Sequence, residues 1–149
     1  MNINKKSLIS AACGFVLSMG LVVILVIMTL PLVSHFSLGI QRGVSLFIFM
    51  FSLLVVAPLS SRKLNRIDGT KKILGWTFIG TGGEFLVFPL SLLFVFKYVS
   101  SLSGILVMTT FFVLSLVVGL LAGLITISVG VMLIKSDNML SFAKKRKME

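Results

Sequence analysis

The chain has 149 residues, of which 57% are hydrophobic and 12% are charged, and its mean hydropathy is +1.14. A soluble domain of this length exposes too much surface for so apolar a composition, so a soluble globular fold is excluded. The net charge is +10, and the lone Cys13 and lone His35 exclude an internal disulfide and a cysteine–histidine metal cluster.

Four apolar runs are each long enough to cross a bilayer core, which takes roughly 20 helical residues. In chain order they are residues 8–33, 40–59, 73–96 and 105–134, followed by a basic tail at 135–149. The sequence therefore predicts an all-α fold: one domain of four transmembrane helices in an antiparallel up-down bundle. The fourth run is longer than a bilayer requires, which predicts a tilted helix or one that continues into the cytoplasm. The tail either continues this helix or forms a new interfacial helix capped by Ser136 or Asp137.

The positive charges predict the orientation of these helices. Twelve of the fourteen Lys and Arg residues lie in the amino-terminal segment, the second loop and the tail, whereas Arg42 and Lys97 lie near the other two loops. By the positive-inside rule, both termini and the second loop are cytoplasmic, in a plasma or inner membrane. The residues expected to contact anionic headgroups are Arg62, Lys63, Arg66, Lys71, Lys72, Lys144, Lys145, Arg146 and Lys147. No aromatic residues alternate with the charges of the second loop, so nucleic acid is not an expected partner.

Small residues at helical spacing predict where helices approach closely. Gly119 and Gly123 form a GxxxG in the fourth run, and Gly14 lies between Ser10 and Ser18 in the first run, each four residues apart. Membrane helices pack through such faces because lipid is as apolar as leucine. The two faces either meet inside one bundle, which we favour, or form a dimer contact.

Glu84 is the one acidic residue within an apolar run. Trp76 and Tyr98 lie near opposite ends of the third run, about one hydrocarbon thickness apart, and this places Glu84 near the midplane. A charged side chain at this depth is costly, so it is expected to face protein or water. The neighbouring glycines and Pro89 predict a kink or an opened turn next to it.

Hydroxyl groups are predicted to surround this carboxyl. Thr77, Thr81 and Ser91 share its helical face, and depth matching adds one serine from each of the other runs, namely Ser18, Ser52 and Ser115. In a structural interpretation, Glu84 is protonated and donates a hydrogen bond that locks the bundle. In a functional interpretation, it binds and releases a proton or a cationic ligand.

No nucleophile–base pair, phosphate-binding loop or metal-ligand set is present, so neither an enzyme nor a cofactor is expected. The favoured function is an accessory, regulatory or protective (immunity-type) membrane protein that acts through helix contacts in the bilayer. Its partner is then a larger membrane protein or a second copy of the chain. The alternative is a minimal oligomeric transporter or channel that uses Glu84.

Overall fold

A computed structural model describes residues 4–96 and 102–146 of the chain. Within these ranges the regular structure is entirely helical. Four helices are long and apolar enough to cross a membrane, in agreement with the four predicted runs. The expected all-α class and the four helices of membrane-spanning length and apolarity are thus confirmed, and they indicate a multi-pass membrane protein.

The first span is helix α1, Lys5–Val33. It begins at Asn4, whose side-chain Oδ1 accepts a hydrogen bond of 3.1 Å from the backbone N–H of Lys6. Such a cap satisfies one of the free amide groups of the first turn, and the helix therefore starts ahead of the apolar run. Pro31 lies inside the last turns and is buried.

The second span runs continuously through helix α2, Leu38–Phe51, a π-helical turn, Ser52–Val56, and helix α3, Ala57–Asn65. The backbone N–H of Ala57 donates to the carbonyl of Ser52, five residues earlier. Pro58 follows directly and has no N–H to donate, so the wide turn lies where the regular hydrogen-bond ladder is already interrupted.

Helix α4, Thr70–Phe96, is the third span, and helix α5, Leu102–Arg146, is the fourth. Helix α4 continues through Pro89. The π-helical turn at Ser52–Val56 lies in the second span instead. Helix α5 has 45 residues and extends without a break through Ser136 and Asp137. Its length is about 67 Å at 1.5 Å per residue, which is more than twice the thickness of a bilayer core.

The spans pack side by side in the order second, first, third, fourth. Helix α1 contacts α3 and α4, and α4 also packs along α5, whereas no Cα of α1 lies within 8 Å of a Cα of α5 among the described residues. Helix α1 is parallel to α4, because Leu17 contacts Gly80 and Gly20 contacts Glu84.

Helices α4 and α5 approach closely along a row of glycines. A Cβ at Gly75 would lie 2.7 Å from the carbonyl oxygen of Gly130, and one at Gly82 would lie 2.8 Å from that of Gly123. Residue numbers rise along α4 as they fall along α5, so this pair is antiparallel. Gly119 continues the row against the carbonyl oxygen of Phe85.

The small-residue faces of the first and fourth spans therefore have separate partners, and the expectation that they meet each other was wrong. Gly119 and Gly123 pack on α4, whereas Gly14 packs on the second span, where a Cβ would lie 2.8 Å from the carbonyl oxygen of Ala57. Both faces are used within one chain, because glycine lets two helix backbones come together.

The amino terminus of α1, the loop before α4 and a late turn of α5 lie together at one end of the molecule. Lys6 Nζ is 3.5 Å from Asp68 Oδ1. Gly69 has a φ of +96°, a conformation that favours glycine, and a Cβ there would lie 2.5 Å from Asp137 Oδ2.

Candidate functional site

A groove of about 550 Å³ lies between α1 and α5, with α4 at its base. Its walls are mostly apolar, and its polar side chains are the carboxyl of Glu84 and the hydroxyls of Thr81 and Ser115. The groove exists because α1 and α5 each pack on α4 without closing on each other. The larger apolar side chains that line it include Val23, Ile24, Phe85, Phe88, Phe111 and Leu114.

Glu84 lies midway along α4 and is half-buried. Its carboxyl group rests directly against Gly20 of α1, where an added Cβ would overlap Oε2. One helical turn earlier on α4, the side chain of Leu17 packs against Gly80, where an added Cβ would lie 2.6 Å from Leu17 Cδ2. The two glycines therefore allow α1 and α4 to pack closely while the carboxyl points into the groove.

The Glu84 carboxyl has no hydrogen-bond or ion-pair partner among the described residues, and its oxygens are not sealed from the groove. Burial of a polar group without a partner is costly, and the cost is greater for a charged group. An incoming group that donates a hydrogen bond or carries positive charge would therefore gain a strong interaction here.

Two of the six predicted hydroxyls lie in the groove with Glu84: Thr81, one turn away on the same helix, and Ser115 on α5. The other four are buried and are outside the groove lining. Their hydroxyls donate to backbone carbonyls, Thr77 to Ile73 at 2.8 Å, Ser91 to Phe88 at 2.6 Å, Ser18 to Phe15 at 2.8 Å and Ser52 to Ser18 at 2.9 Å. The hydrogen bond from Ser52 joins the first two spans. Ser115 likewise donates within its own helix, to Phe112 at 2.9 Å.

Gly20 is a groove residue that sequence reasoning did not identify. It is six residues from Gly14 and so falls outside the four-residue spacing that marked the small face of the first span. Phe88 lies four residues after Glu84 and therefore on the same helical face, whereas Phe85 and Phe111 were missed. No periodic signal distinguishes those two rings from the other phenylalanines of an apolar helix.

The predicted headgroup-contacting residues within the described ranges occupy three places: the end of α3, the first turn of α4 and the end of α5. Arg62 and Lys63 lie on α3 and Arg66 immediately follows it, whereas Lys71 and Lys72 are in the first turn of α4. Lys144, Lys145 and Arg146 form the last residues of α5, and Lys147 lies outside the described residues, as does Tyr98.

Comparison of the chain with family models, with curated proteins and with solved structures finds no match. The fold and its groove therefore define only a class, a multi-pass helical protein with a side-facing apolar groove and a carboxyl at its base. Any more specific function is inferred from the chemistry of this groove.

Proposed function

We propose that the chain is a small accessory or protective (immunity-type) membrane protein that binds a transmembrane helix of a larger partner in the α1–α5 groove. The observation that carries this proposal is the Glu84 carboxyl, which lies in an apolar, side-facing groove and has no partner within residues 4–96 and 102–146. The complementary helix presents apolar side chains to the groove walls and one donor, such as Lys, Arg, Ser or Asn, to the carboxyl.

The proposed arrangement in the membrane is an antiparallel up-down bundle with both termini and the second loop on the cytoplasmic side of a plasma or inner membrane. It is supported by the twelve Lys and Arg residues assigned to that side and by the contact between Lys6 and Asp68 at one end of the molecule. Glu84 then lies near mid-bilayer, where neither water nor headgroups compete strongly for its carboxyl.

A binding role fits the groove better than conduction by a single chain. Helices α1 and α5 are apart, so the groove faces the surroundings of the bundle instead of enclosing a path along it. One carboxyl and two hydroxyls suit recognition by hydrogen bonds, whereas catalysis requires converging groups of complementary roles. Neighbouring hydrophobic contacts supply the packing that drives helix association in lipid.

Photo-crosslinking from two matched valines tests this proposal. Val118 lines the groove and is 54% exposed, whereas Val113 is 53% exposed on the same helix and is outside the groove lining. A photoreactive residue at Val118 is expected to give a protein adduct of discrete mass in native membranes. The Val113 probe should give lipid adducts only, and Glu84→Gln should abolish the Val118 adduct while the protein remains inserted. Equal adducts from both positions, or an adduct that is indifferent to Glu84→Gln, would overturn the proposal.

A second candidate function is an oligomeric transporter or channel for a proton or a cationic ligand. The favouring observation is the groove volume of about 550 Å³, which is typical of small-ligand sites, together with three phenylalanines beside a carboxylate. Aromatic faces attract cations, particularly where water is excluded. Saturable binding of tetraphenylphosphonium to the purified protein, abolished by Glu84→Gln, would support this candidate over the helix-binding one.

A further inference from the structure

A second cavity, independent of the groove, lies at the charged end of the second span. Its volume is about 460 Å³, and it is lined by Val56, Leu59, Ser60, Arg62, Lys63 and Arg66. The lining therefore combines two apolar side chains, one hydroxyl and three cations. This combination differs from the surrounding lipid-facing surface, which is apolar, and from the loop that follows, which is polar.

The cavity lies on the face of the second span that is turned away from the rest of the bundle. The opposite face packs on α1, where Gly14 contacts Ala57 and Ser61, and Leu64 is buried in a cluster with Cys13. Because residues three and four apart share a helical face, the cavity lining falls on the other side of the helix. Leu59 is 56% exposed there, so the site is open to the bilayer.

The three cations have no carboxylate partner among the described residues. Asp68 is already 3.5 Å from Lys6, Asp137 lies against Gly69, and Glu84 lies in the groove. Three neighbouring positive side chains repel one another, and a bound anion would offset this repulsion.

We propose that this cavity binds an anionic phospholipid, with the phosphate held by Arg62, Lys63 and Arg66 and an acyl chain against Val56 and Leu59. The position at the end of an apolar span is that of a lipid headgroup, and basic pockets at this level recognise anionic headgroups. Arginine presents a planar fork of donors that matches phosphate oxygens, and Ser60 adds a hydroxyl donor. The adjoining apolar side chains favour a lipid over free phosphate as the source of the anion.

Lipid retention after reconstitution tests the proposal. The full chain is placed in vesicles of phosphatidylcholine and phosphatidylglycerol, extracted in non-ionic detergent, and its bound lipid is identified by native mass spectrometry. The wild type should retain phosphatidylglycerol in preference to phosphatidylcholine. The triple variant Arg62→Gln, Lys63→Gln, Arg66→Gln should lose about 100-fold in relative affinity, because each substitution removes a charge-assisted contact with the bound phosphate.

The matched control is Lys5→Gln, Lys6→Gln, Lys135→Gln, which removes the same charge from the same end of the molecule at positions outside the cavity lining and should change retention by less than about tenfold. If the triple variant does not insert, Arg62→Gln with Arg66→Gln leaves Lys63 to hold the orientation and should still weaken retention by about 25-fold. Equal losses in variant and control would overturn the site. Displacement of the lipid by inorganic phosphate would overturn the lipid as its occupant.

Discussion

Gly82 and Gly83 are neighbours on α4, yet the structure predicts different stabilities when each is replaced by alanine. A Cβ at Gly82 would lie 2.6 Å from Thr126 Oγ1 and 2.8 Å from the carbonyl oxygen of Gly123. The first atom is held by hydrogen bonds within α5, and the second is backbone, so neither can easily move aside. A Cβ at Gly83 would meet no atom of the described part of the chain within 4 Å.

Alanine is favoured over glycine inside a helix by about 1 kcal/mol, and both variants gain this amount. Gly83→Ala should therefore stabilise the protein by about 0.5–1 kcal/mol. Gly82→Ala also incurs overpacking, which typically costs about 1–3 kcal/mol. The helix preference contributes equally to both variants. The difference between their free energies of unfolding therefore equals the packing cost at Gly82 and should be about 1–3 kcal/mol.

Unfolding in mixed micelles of mild detergent and dodecyl sulfate measures both variants, with fluorescence of the single Trp76 on α4 as the readout. Gly83→Ala should require more dodecyl sulfate than wild type for half-unfolding, and Gly82→Ala should require less than Gly83→Ala. If the two variants unfold together, α5 does not pack on α4 at Gly82, and the assigned contact between these helices is refuted.

Three further predictions concern the first two spans. Ser52→Ala removes the buried hydrogen bond to the Ser18 carbonyl. In the same assay it should lower the free energy of unfolding by about 0.6 kcal/mol and by no more than about 1.7 kcal/mol. Ser128→Ala, an exposed control, should change little. Gly14→Ala should destabilise the protein by about 1–3 kcal/mol, because its Cβ would meet the Ala57 carbonyl and the Ser61 backbone. The control Gly43→Ala, whose Cβ would meet no described atom within 4 Å, should not destabilise it. Equal effects of the two substitutions would contradict the close crossing of the first two spans at Gly14. In a Cys13→Ala background, an impermeant maleimide should label Ser37→Cys from outside intact cells; labelling only after lysis would contradict the proposed orientation.

The four spans follow from the sequence because length and apolarity alone determine whether a helix can cross lipid. The ends of these helices do not follow from the sequence, because an apolar run marks only the part of a helix that lies in lipid. The second span was expected over 40–59 and extends over Leu38–Asn65, and the fourth was expected over 105–134 and extends over Leu102–Arg146. Charged residues such as Lys63 and Lys135 continue these helices beyond the apolar core, where their side chains reach water.

The helix partners were harder to predict than the helices. GxxxG identifies a face for close approach but not the helix that fills it, so Gly123 was expected to face the first span and instead packs against Gly82. A glycine on the third span was interpreted as a source of flexibility, although it supplies the complementary surface. Pairing depends on how two faces match along their whole length, and this information is distributed over both sequences.

The candidate site was predicted in part. Glu84 was identifiable because a carboxyl in an apolar run is costly and therefore conspicuous. Its groove companions Thr81 and Ser115 were among the predicted hydroxyls, but Ser18 and Ser52 bond elsewhere. Depth matching fixes height along the bilayer normal and leaves the rotation of each helix undetermined, so residues at the right level point in different directions.

The most direct test of the account is the reactivity of the Glu84 carboxyl toward a carbodiimide that dissolves in the bilayer. Dicyclohexylcarbodiimide should modify Glu84 in membranes, as read by peptide mass spectrometry, because the groove opens toward lipid in the proposed arrangement. Gly20→Leu, which places a side chain where the carboxyl lies, should suppress this modification. A water-soluble carbodiimide should instead modify Asp68, which is fully exposed at its side chain. Modification of Glu84 by the water-soluble reagent alone, or by neither reagent, would contradict a mid-bilayer carboxyl facing a side-opening groove.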